Sequence, residues 1–313
     1  MKNKGILKIG IIVCAIVLAV AVALGFTDTL GYHYPNEDRY TAGNTEISET
    51  VKNLDIEWIN GKVNIAYHIE NTVVLSETSD KPITEDMQLR WWLDGDTLRI
   101  RFAKPRFAFV LSWGQQKDLT VTLPEGIALA QVNIEATSGD LVIPAIQAEE
   151  VKLDTTSGDI NATLTASDIT VESTSGDVSL NLAGEPRDTS IRTTSGDVHI
   201  TGNSMDRLFS HSTSGNVGVD VENLASSSIE TTSGAIEVKT REFRHLSIKS
   251  TSGNVYAHLP TEPGWTAKVK TTSGVFNHDM YLRTNGDGYV CGVGSSNVTI
   301  ETTSGNVQID PVD

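Results

Sequence analysis

Thr-Ser-Gly occurs nine times between Thr137 and Gly305, and each copy separates two short runs of alternating apolar residues. Successive copies lie 18 to 21 residues apart, except for a last interval of 31 residues. The nine glycines are Gly139, Gly158, Gly176, Gly196, Gly215, Gly234, Gly253, Gly274 and Gly305. A period of this length is typical of repeat architectures, in which each repeat packs mainly against its neighbours.

Residues 151–164 illustrate one repeat. Val151 and Leu153 precede its glycine, and Ile160 follows it. Spacing by two indicates a strand with one buried face, and Thr suits such a pleated surface. Glycine permits backbone conformations that other residues avoid, so the chain can turn sharply at Gly158. Each repeat is therefore predicted to contain a strand, a corner, a second strand and a short return.

Two all-β architectures fit this repeat. In a single-stranded β-solenoid of about 19 residues per coil, equivalent corners stack about 4.8 Å apart. In the alternative, each Ser-Gly forms the turn of a hairpin in a meander or sandwich. We favour the solenoid because stacking explains why the corners are alike: Thr, Ser and Asn can form hydrogen-bonded ladders along the stack. A hairpin meander gives no such reason.

The residue after each corner glycine is usually acidic or an amide. The first four are aspartates, and Asn216, Asn254 and Asn306 occupy the position later, whereas Ala235 and Val275 break the series. The four aspartates are Asp140, Asp159, Asp177 and Asp197. Stacked carboxylates would repel each other or share cations, so a calcium ladder is one interpretation. The replacement by Asn favours the other interpretation, turn chemistry, and we predict no definite metal site.

The N-terminus carries the features of a membrane anchor. Lys2, Lys4 and Lys8 precede an uncharged apolar run over residues 9–27, which is about long enough to span a bilayer. The positive flank should stay in the cytoplasm and place the acidic body outside. We expect residues 1–27 to anchor a single-pass protein of the bacterial cell membrane. The alternative is a signal peptide whose cleavage would release a secreted protein.

Two segments separate this run from the regular repeats. Residues 28–50 are polar and rich in turn formers, which predicts a linker. Residues 51–135 contain strand patterns without Thr-Ser-Gly, with a corner at Asn60-Gly61 and a hairpin around Asp94-Gly95. We interpret residues 51–135 as divergent capping coils and residues 136–313 as the regular solenoid, because solenoids need atypical ends.

The capping segment also concentrates aromatic and basic residues. They are Trp91, Trp92, Phe102, Phe107, Phe109 and Trp113, with Arg90, Arg99, Arg101, Lys104 and Arg106. Such a cluster is compatible with a face for sugars, for a protein partner or for an anionic wall polymer. It is also compatible with the core of a cap that has a solvated basic rim, which is the interpretation we favour.

Two Leu-Pro turns, at Leu123 and at Leu259, resemble each other and suggest an internal duplication. The long last interval indicates an insertion at about residues 277–294, with a tight turn at residues 285–288.

Charge and cysteine content limit the partners that the protein can bind and the covalent links that it can form. The net charge is -16, and the three lysines before the apolar run lie outside the acidic body. This balance argues against nucleic acid as a partner. Cys14 lies in the apolar run and Cys291 is alone in the body, so no disulfide can form within the body.

The sequence contains no recognisable catalytic constellation. The seven histidines are scattered, and there is no HExxH, GxSxG or phosphate-binding loop. A polysaccharide-active solenoid enzyme would need a defined carboxylate pair, and none stands out among 40 acidic residues. We predict that the protein is not an enzyme and needs no cofactor.

Several segments resemble a bacterial family named putative adhesins, surface proteins built of repeated β-strands. The resemblance lies in the TSGD and TSGN corners, in WINGKVNI and DGDTLRI near the start, and in VGSSNVTIETTSGNVQI at the end. It covers about residues 50–310 and implies a strand-repeat or β-solenoid fold without family catalytic residues. Some members resemble products encoded beside envelope-stress regulators.

Together these features predict a membrane-anchored extracellular protein with a binding or scaffold role, in envelope-stress sensing for example. Its ligand would be an envelope protein, a glycan or a peptide. Adhesion to a host or neighbouring cell is the alternative.

Overall fold

The computed structural model describes residues 33–105 and 115–312. The expected anchor, residues 1–27, lies outside these ranges, and so do Arg106, Phe107, Phe109 and Trp113. No helix in the described ranges combines the length and apolar character that crossing a bilayer requires. The described chain is all-β, apart from short 3-10 helices at Glu37–Arg39 and Glu85–Met87.

The regular repeats form two parallel sheets that meet at the corners. The strand before each corner pairs in parallel with its equivalent in the next repeat, and so does the strand after it. This is the pairing of a β-solenoid, and the hairpin alternative, which requires antiparallel pairing across each Ser-Gly, is wrong. The strands are β9 (Leu129–Ser138), β10 (Leu141–Ser157), β11 (Ile160–Thr165), β12 (Asp168–Ser175), β13 (Val178–Leu182), β14 (Asp188–Ser195), β15 (Val198–Ser214), β16 (Val217–Ser233), β17 (Ile236–Lys239), β18 (Glu242–Ser252) and β19 (Val255–Leu259).

The core follows the predicted apolar positions. Val151 and Leu153, before the corner, and Ile160, after it, are at most 1% exposed. Equivalent apolar residues continue these rows along one hydrophobic core. In three successive coils, one position of these rows holds a buried polar residue instead, namely Thr189, Ser210 or Ser227. Because each coil buries its apolar residues only against adjacent coils, the core grows coil by coil.

Close packing at the corners explains the glycines. A Cβ placed on Gly253 would overlap the carbonyl oxygen of Gly234, and a Cβ on Gly139 would overlap that of Gly61. Gly61 thus belongs to the same column, as the Asn60-Gly61 corner predicted. At Gly196 the backbone also has φ of 124°, a region that favours glycine. Contact between stacked backbones is the general requirement, and positive φ adds to it in some coils.

The N-terminal segment closes its end of the stack. β5 pairs antiparallel with β8 and β6 pairs antiparallel with β7, so strands cover both sheets at this end. The N-terminal strands are β1 (Thr41–Ala42), β2 (Thr45–Ile47), β3 (Asn53–Asn60), β4 (Val63–His68), β5 (Val73–Ser79), β6 (Arg90–Asp94), β7 (Thr97–Arg101) and β8 (Lys117–Pro124). The β6–β7 hairpin lies where the sequence predicted it.

The described part of the expected linker differs from a solvated connection. β1 pairs with β6, and β2 pairs with β5. Tyr34, Tyr40 and Ile47 are at most 8% exposed, and the Tyr34 and Tyr40 rings lie 4.7 Å apart. Apolar burial by these few side chains outweighs the polar composition of the segment, and it attaches the segment to the cap.

The order of coils in space differs from their order in the chain at both ends. β3 lies between β7 and β9, so the chain skips one coil when it runs from β8 to β9. β24 lies between β18 and β20, so the chain skips one coil between β19 and β20. The two Leu-Pro turns, at Leu123 and Leu259, lie at these two skips. The C-terminal strands are β20 (Gly264–Ser273), β21 (Phe276–His278), β22 (Arg283–Asn285), β23 (Gly288–Gly292), β24 (Ser296–Ser304) and β25 (Val307–Pro311).

Candidate functional site: the surfaces of the coil stack

The threonine and serine of every Thr-Ser-Gly corner are exposed to solvent. Parallel pairing aligns each serine with its equivalent in the next coil, as between Ser157 and Ser175 or between Ser195 and Ser214. We name this surface the hydroxyl edge, and its members are Thr137, Ser138, Thr156, Ser157, Thr174, Ser175, Thr194, Ser195, Thr213, Ser214, Thr232, Ser233, Thr251, Ser252, Thr272, Ser273, Thr303 and Ser304. With coils about 4.8 Å apart, the edge presents hydroxyl and methyl groups at a regular spacing over nearly 40 Å.

The aspartates proposed as a calcium ladder do lie in one row. The backbone N–H of Asp159 donates to Oδ1 of Asp140 at 3.1 Å, and that of Asp177 donates to Oδ1 of Asp159 at 2.9 Å. The row continues through Asp197 to Asn216, whose Oδ1 accepts from the N–H of Ala235. Within the described ranges, no three His, Cys, Asp or Glu side chains form a group that could hold a metal ion. Backbone hydrogen bonding therefore accounts for the row.

The same geometry explains why Asn can replace aspartate. Asn supplies the same Oδ1 acceptor, and Asn254 accepts from the N–H of Asn306 at 2.9 Å. Asn306 in turn accepts from the N–H of Val275 at 2.9 Å. Because β21 has no further coil beyond it in the described structure, the side chain of Val275 does not have to accept a backbone N–H from another coil.

A second column of hydroxyls, three residues before the glycines, is buried. Thr231 donates to the carbonyl of Gly215, Thr302 to that of Gly253, and both bonds measure 3.4 Å. Thr302 is 4% exposed. In the sequence, these threonines and serines look no different from the exposed threonines that directly follow them. A β-strand period counted from the glycine would have separated them, because buried and exposed positions alternate.

The model of the Toastrack DUF4097 family matches residues 44–310. The chain belongs to the Toastrack DUF4097 family. The resemblance predicted from the TSGD and TSGN corners is thereby confirmed over nearly the whole of the coil stack. No curated protein matches this chain significantly.

Solved structures match this chain at low sequence identity. A protein from Parabacteroides distasonis, named a "putative lipid binding protein", is 13% identical with a TM-score of 0.50, and the match covers 87% of this chain and 97% of that one. A "putative adhesin" from the same organism is 12% identical with a TM-score of 0.41, over 86% and 97% of the two chains. A "putative adhesin" from Bacteroides fragilis is 11% identical with a TM-score of 0.38, over 87% and 97%. At such identities the likeness concerns the fold alone.

Four of the five basic residues predicted for the cap lie within the described ranges, and these four have acidic or carbonyl partners. Arg99 contacts Asp55 at 2.5 Å, and Arg101, which is 3% exposed, contacts the same carboxylate at 3.1 Å. Lys104 pairs with Asp86 at 3.3 Å, and Arg90 donates to the carbonyl of Glu85 at 2.9 Å. These partners neutralise or occupy four of the cations that the sequence suggested for an anionic polymer.

Of the aromatic residues predicted for the cap, Phe102 is buried, and Trp91 and Trp92 are partly buried. Phe102 is fully buried against Trp58, with ring centroids 4.9 Å apart. The guanidinium groups of Arg39 and Arg99 lie 5.2 and 5.9 Å from the centroid of the Trp92 ring. Cation–π contacts of this kind stabilise the cap. The described part of the cluster therefore agrees with a capping core.

Lys117 forms a buried ionic centre that the sequence did not indicate. Its Nζ lies 2.6 Å from Oε2 of Glu77 and donates to the carbonyls of Met87 and Phe102 at 2.5 Å. Oε1 of Glu77 accepts from the N–H of Leu89. Burial lowers the pKa of Lys117, and the charge of Glu77 opposes this shift. The centre joins four separate segments of the cap.

A depression lies on the outer face of the sheet formed by the strands before the corners. It has a volume of about 290 Å³, and Phe209, Arg207 and Asp188 line it together with small serines of the adjacent coils. Arg192 lies over the Phe209 ring at 4.9 Å. Arg207 and Asp188 form an ion pair at 2.5 Å. The depression offers an aromatic surface and hydrogen-bonding groups, but it is shallow.

Proposed function

We propose that this Toastrack protein is a non-enzymatic binding or scaffold protein of the bacterial cell surface. Its N-terminal segment, residues 9–27, would hold it in the membrane, and the coil stack would lie outside the cell. An envelope protein, a glycan or a peptide would bind along the hydroxyl edge, and a role in sensing envelope stress would follow from such binding.

The single observation that supports this proposal is the exposure of all nine Thr-Ser pairs on one edge. The corner glycines are explained by backbone contact, and the second column of hydroxyls is buried, with Thr231 and Thr302 donating to glycine carbonyls. Neither requirement applies to the two exposed side chains, yet they are Thr and Ser in every copy. Short side chains give a flat surface with little conformational entropy to lose on binding. An extended ligand could make the same contact repeatedly along it.

The test is capture of ligands from solubilised envelope on the immobilised protein, with and without calcium. The altered protein carries Thr194→Arg and Thr213→Arg on the hydroxyl edge. The matched control carries Ser179→Arg and Asn181→Arg. These two positions are exposed on the other sheet, which the strands after the corners form. We expect a specific protein or glycan to be retained by the unaltered and control proteins and lost from the edge variant.

Equal capture by the edge variant and the control would refute the hydroxyl edge as the binding surface. Absence of any ligand from the organism's own envelope, together with attachment to foreign cells, would replace the scaffold role by adhesion. Release of sugars from wall polysaccharide by the purified protein would replace both by an enzymatic function.

A further inference from the structure

The two ends of the coil stack are closed to different extents. At the N-terminal end, antiparallel strands cover both sheets through the β5–β8 and β6–β7 pairs. At the C-terminal end, β23 covers only Gly264–Ala267 of β20. The other six residues of β20, 268–273, and the whole of β21 have no strand on their outer side within the described ranges. Their outward backbone N–H and C=O groups form an open sheet edge.

The apolar interior is also only partly closed at this end. Tyr289 packs on Phe276 with ring centroids 4.8 Å apart, and Met280 is 8% exposed, so the insertion covers one side of the core. Val275 remains 58% exposed, and Val269 is half-buried although its equivalents Ile248 and Ile300 are at most 1% exposed. One more strand on β20 would complete the burial of Val269.

The outer face of the sheet is basic along this open edge. Lys268 and Lys270 project outward on alternate residues of β20, and neither forms an ion pair among the described residues. Glu301 lies in register with Lys270 on the covered side, but Lys268 has Thr299 as its neighbour. Two free ammonium groups therefore flank the open edge of a chain whose net charge is -16.

We propose that the open edge of β20 binds an extended acidic segment of another protein as an additional strand. Acidic residues at alternate positions would lie beside Lys268 and Lys270, and apolar residues between them would cover Val269. Main-chain hydrogen bonds would supply affinity, and the alternation of side chains would supply specificity. A second copy of the chain fits less well, because antiparallel pairing of β20 with itself brings these lysines together.

The test measures binding of two fluorescent eight-residue peptides to the full chain by anisotropy. One alternates Glu and Val and the other alternates Lys and Val. We expect the Glu-Val peptide to bind about tenfold more tightly or better, because opposite charges on adjacent strands attract and like charges repel. The Lys268→Glu/Lys270→Glu variant should reverse the preference. Lys249→Glu is the matched control, because Lys249 also faces Glu301 in register but belongs to the internal strand β18; it should leave the preference unchanged.

Equal binding of the two peptides, or the same preference in the Lys268→Glu/Lys270→Glu variant at unchanged melting temperature, would overturn the proposal. A reversible dimer by sedimentation that the Glu-Val peptide fails to dissociate would assign the edge to a second copy instead. The site lies apart from the Thr194 and Thr213 positions of the hydroxyl edge, so either result leaves the proposed function to be judged by its own test.

Discussion

Replacing selected glycines by alanine separates the two reasons for glycine at the corners, which are close backbone contact and, in some coils, left-handed φ. Gly196 has φ of 124° and its Cβ would overlap the carbonyl oxygen of Gly176. Gly253 meets the same overlap, with Gly234, but its φ lies outside the left-handed region. Gly286 has φ of 61° and no atom within 4 Å of a Cβ. Alanine would therefore meet both costs at Gly196, steric overlap alone at Gly253, and backbone strain alone at Gly286.

The expected free energies follow from these differences. A left-handed conformation costs a non-glycine residue about 1–2 kcal/mol. Forcing an extra carbon into a packed site costs about 1–3 kcal/mol. Gly286→Ala should therefore lower the free energy of unfolding by about 1–2 kcal/mol, Gly253→Ala by about 1–3 kcal/mol, and Gly196→Ala by about 2–5 kcal/mol.

Urea unfolding followed by far-ultraviolet circular dichroism gives these values for the three variants. Hydrogen exchange adds the location, because overlap at Gly196 should raise exchange in β12 and β14 while distant coils stay protected. If Gly253→Ala were no more destabilising than a surface substitution, the stacked backbones would not be in contact, and the explanation of the repeated glycine would fail.

Three further predictions concern side chains. Asn216→Ala should lower the free energy of unfolding in urea by about 1 kcal/mol, because the N–H of Ala235 loses its acceptor, whereas Asp177→Asn should be nearly neutral. A calcium-dependent melting temperature that Asp177→Asn abolishes would instead favour the metal ladder. Glu77→Gln should lower the free energy of unfolding by about 3–5 kcal/mol, because it leaves the Lys117 charge unpaired, and adding Lys117→Met should recover part of the loss. If the effects of the two substitutions were additive, Glu77 and Lys117 would not be energetically coupled. Burial, and after it the charge of Glu172, raises the pKa of Asp154. The folded protein therefore binds this proton more tightly than the unfolded chain, and stability falls as pH rises from about 4 through the raised pKa. Asp154→Asn should remove this part of the pH dependence of the melting temperature.

The periodic features could be predicted from the sequence because they depend on local rules. Alternation around Gly158 identified the buried rows, and the repeated corner favoured stacking over hairpins. The Asn60-Gly61 corner was recognised without Thr-Ser-Gly because its flanking strands have the same layout. Each of these inferences needed only the strand period and the conformational freedom of glycine.

Long-range arrangement was beyond such rules. Nothing local shows that β24 inserts between β18 and β20, because pairing partners far apart in the chain are chosen by the whole stack. The two Leu-Pro turns were recognised as similar, but their shared task of crossing a skipped coil became clear only from the structure. Lys117 resembled any surface lysine, since its burial depends on elements that come together from Glu77 to Phe102. The polar composition of residues 28–50 likewise concealed the burial of Tyr34 and Tyr40.

The most direct test of the coil order is disulfide formation between paired corner serines. In a background with Cys14→Ser and Cys291→Ser, Ser252→Cys and Ser304→Cys should form a disulfide, because these residues are directly paired on adjacent strands. Ser252→Cys with Ser273→Cys should not, because Ser304 lies between them and they are about 9.6 Å apart, beyond disulfide reach. Mass spectrometry of the digested proteins identifies the linked peptides. The opposite result, a bond between 252 and 273 and none between 252 and 304, would show that coils stack in chain order and would remove the open edge of β20.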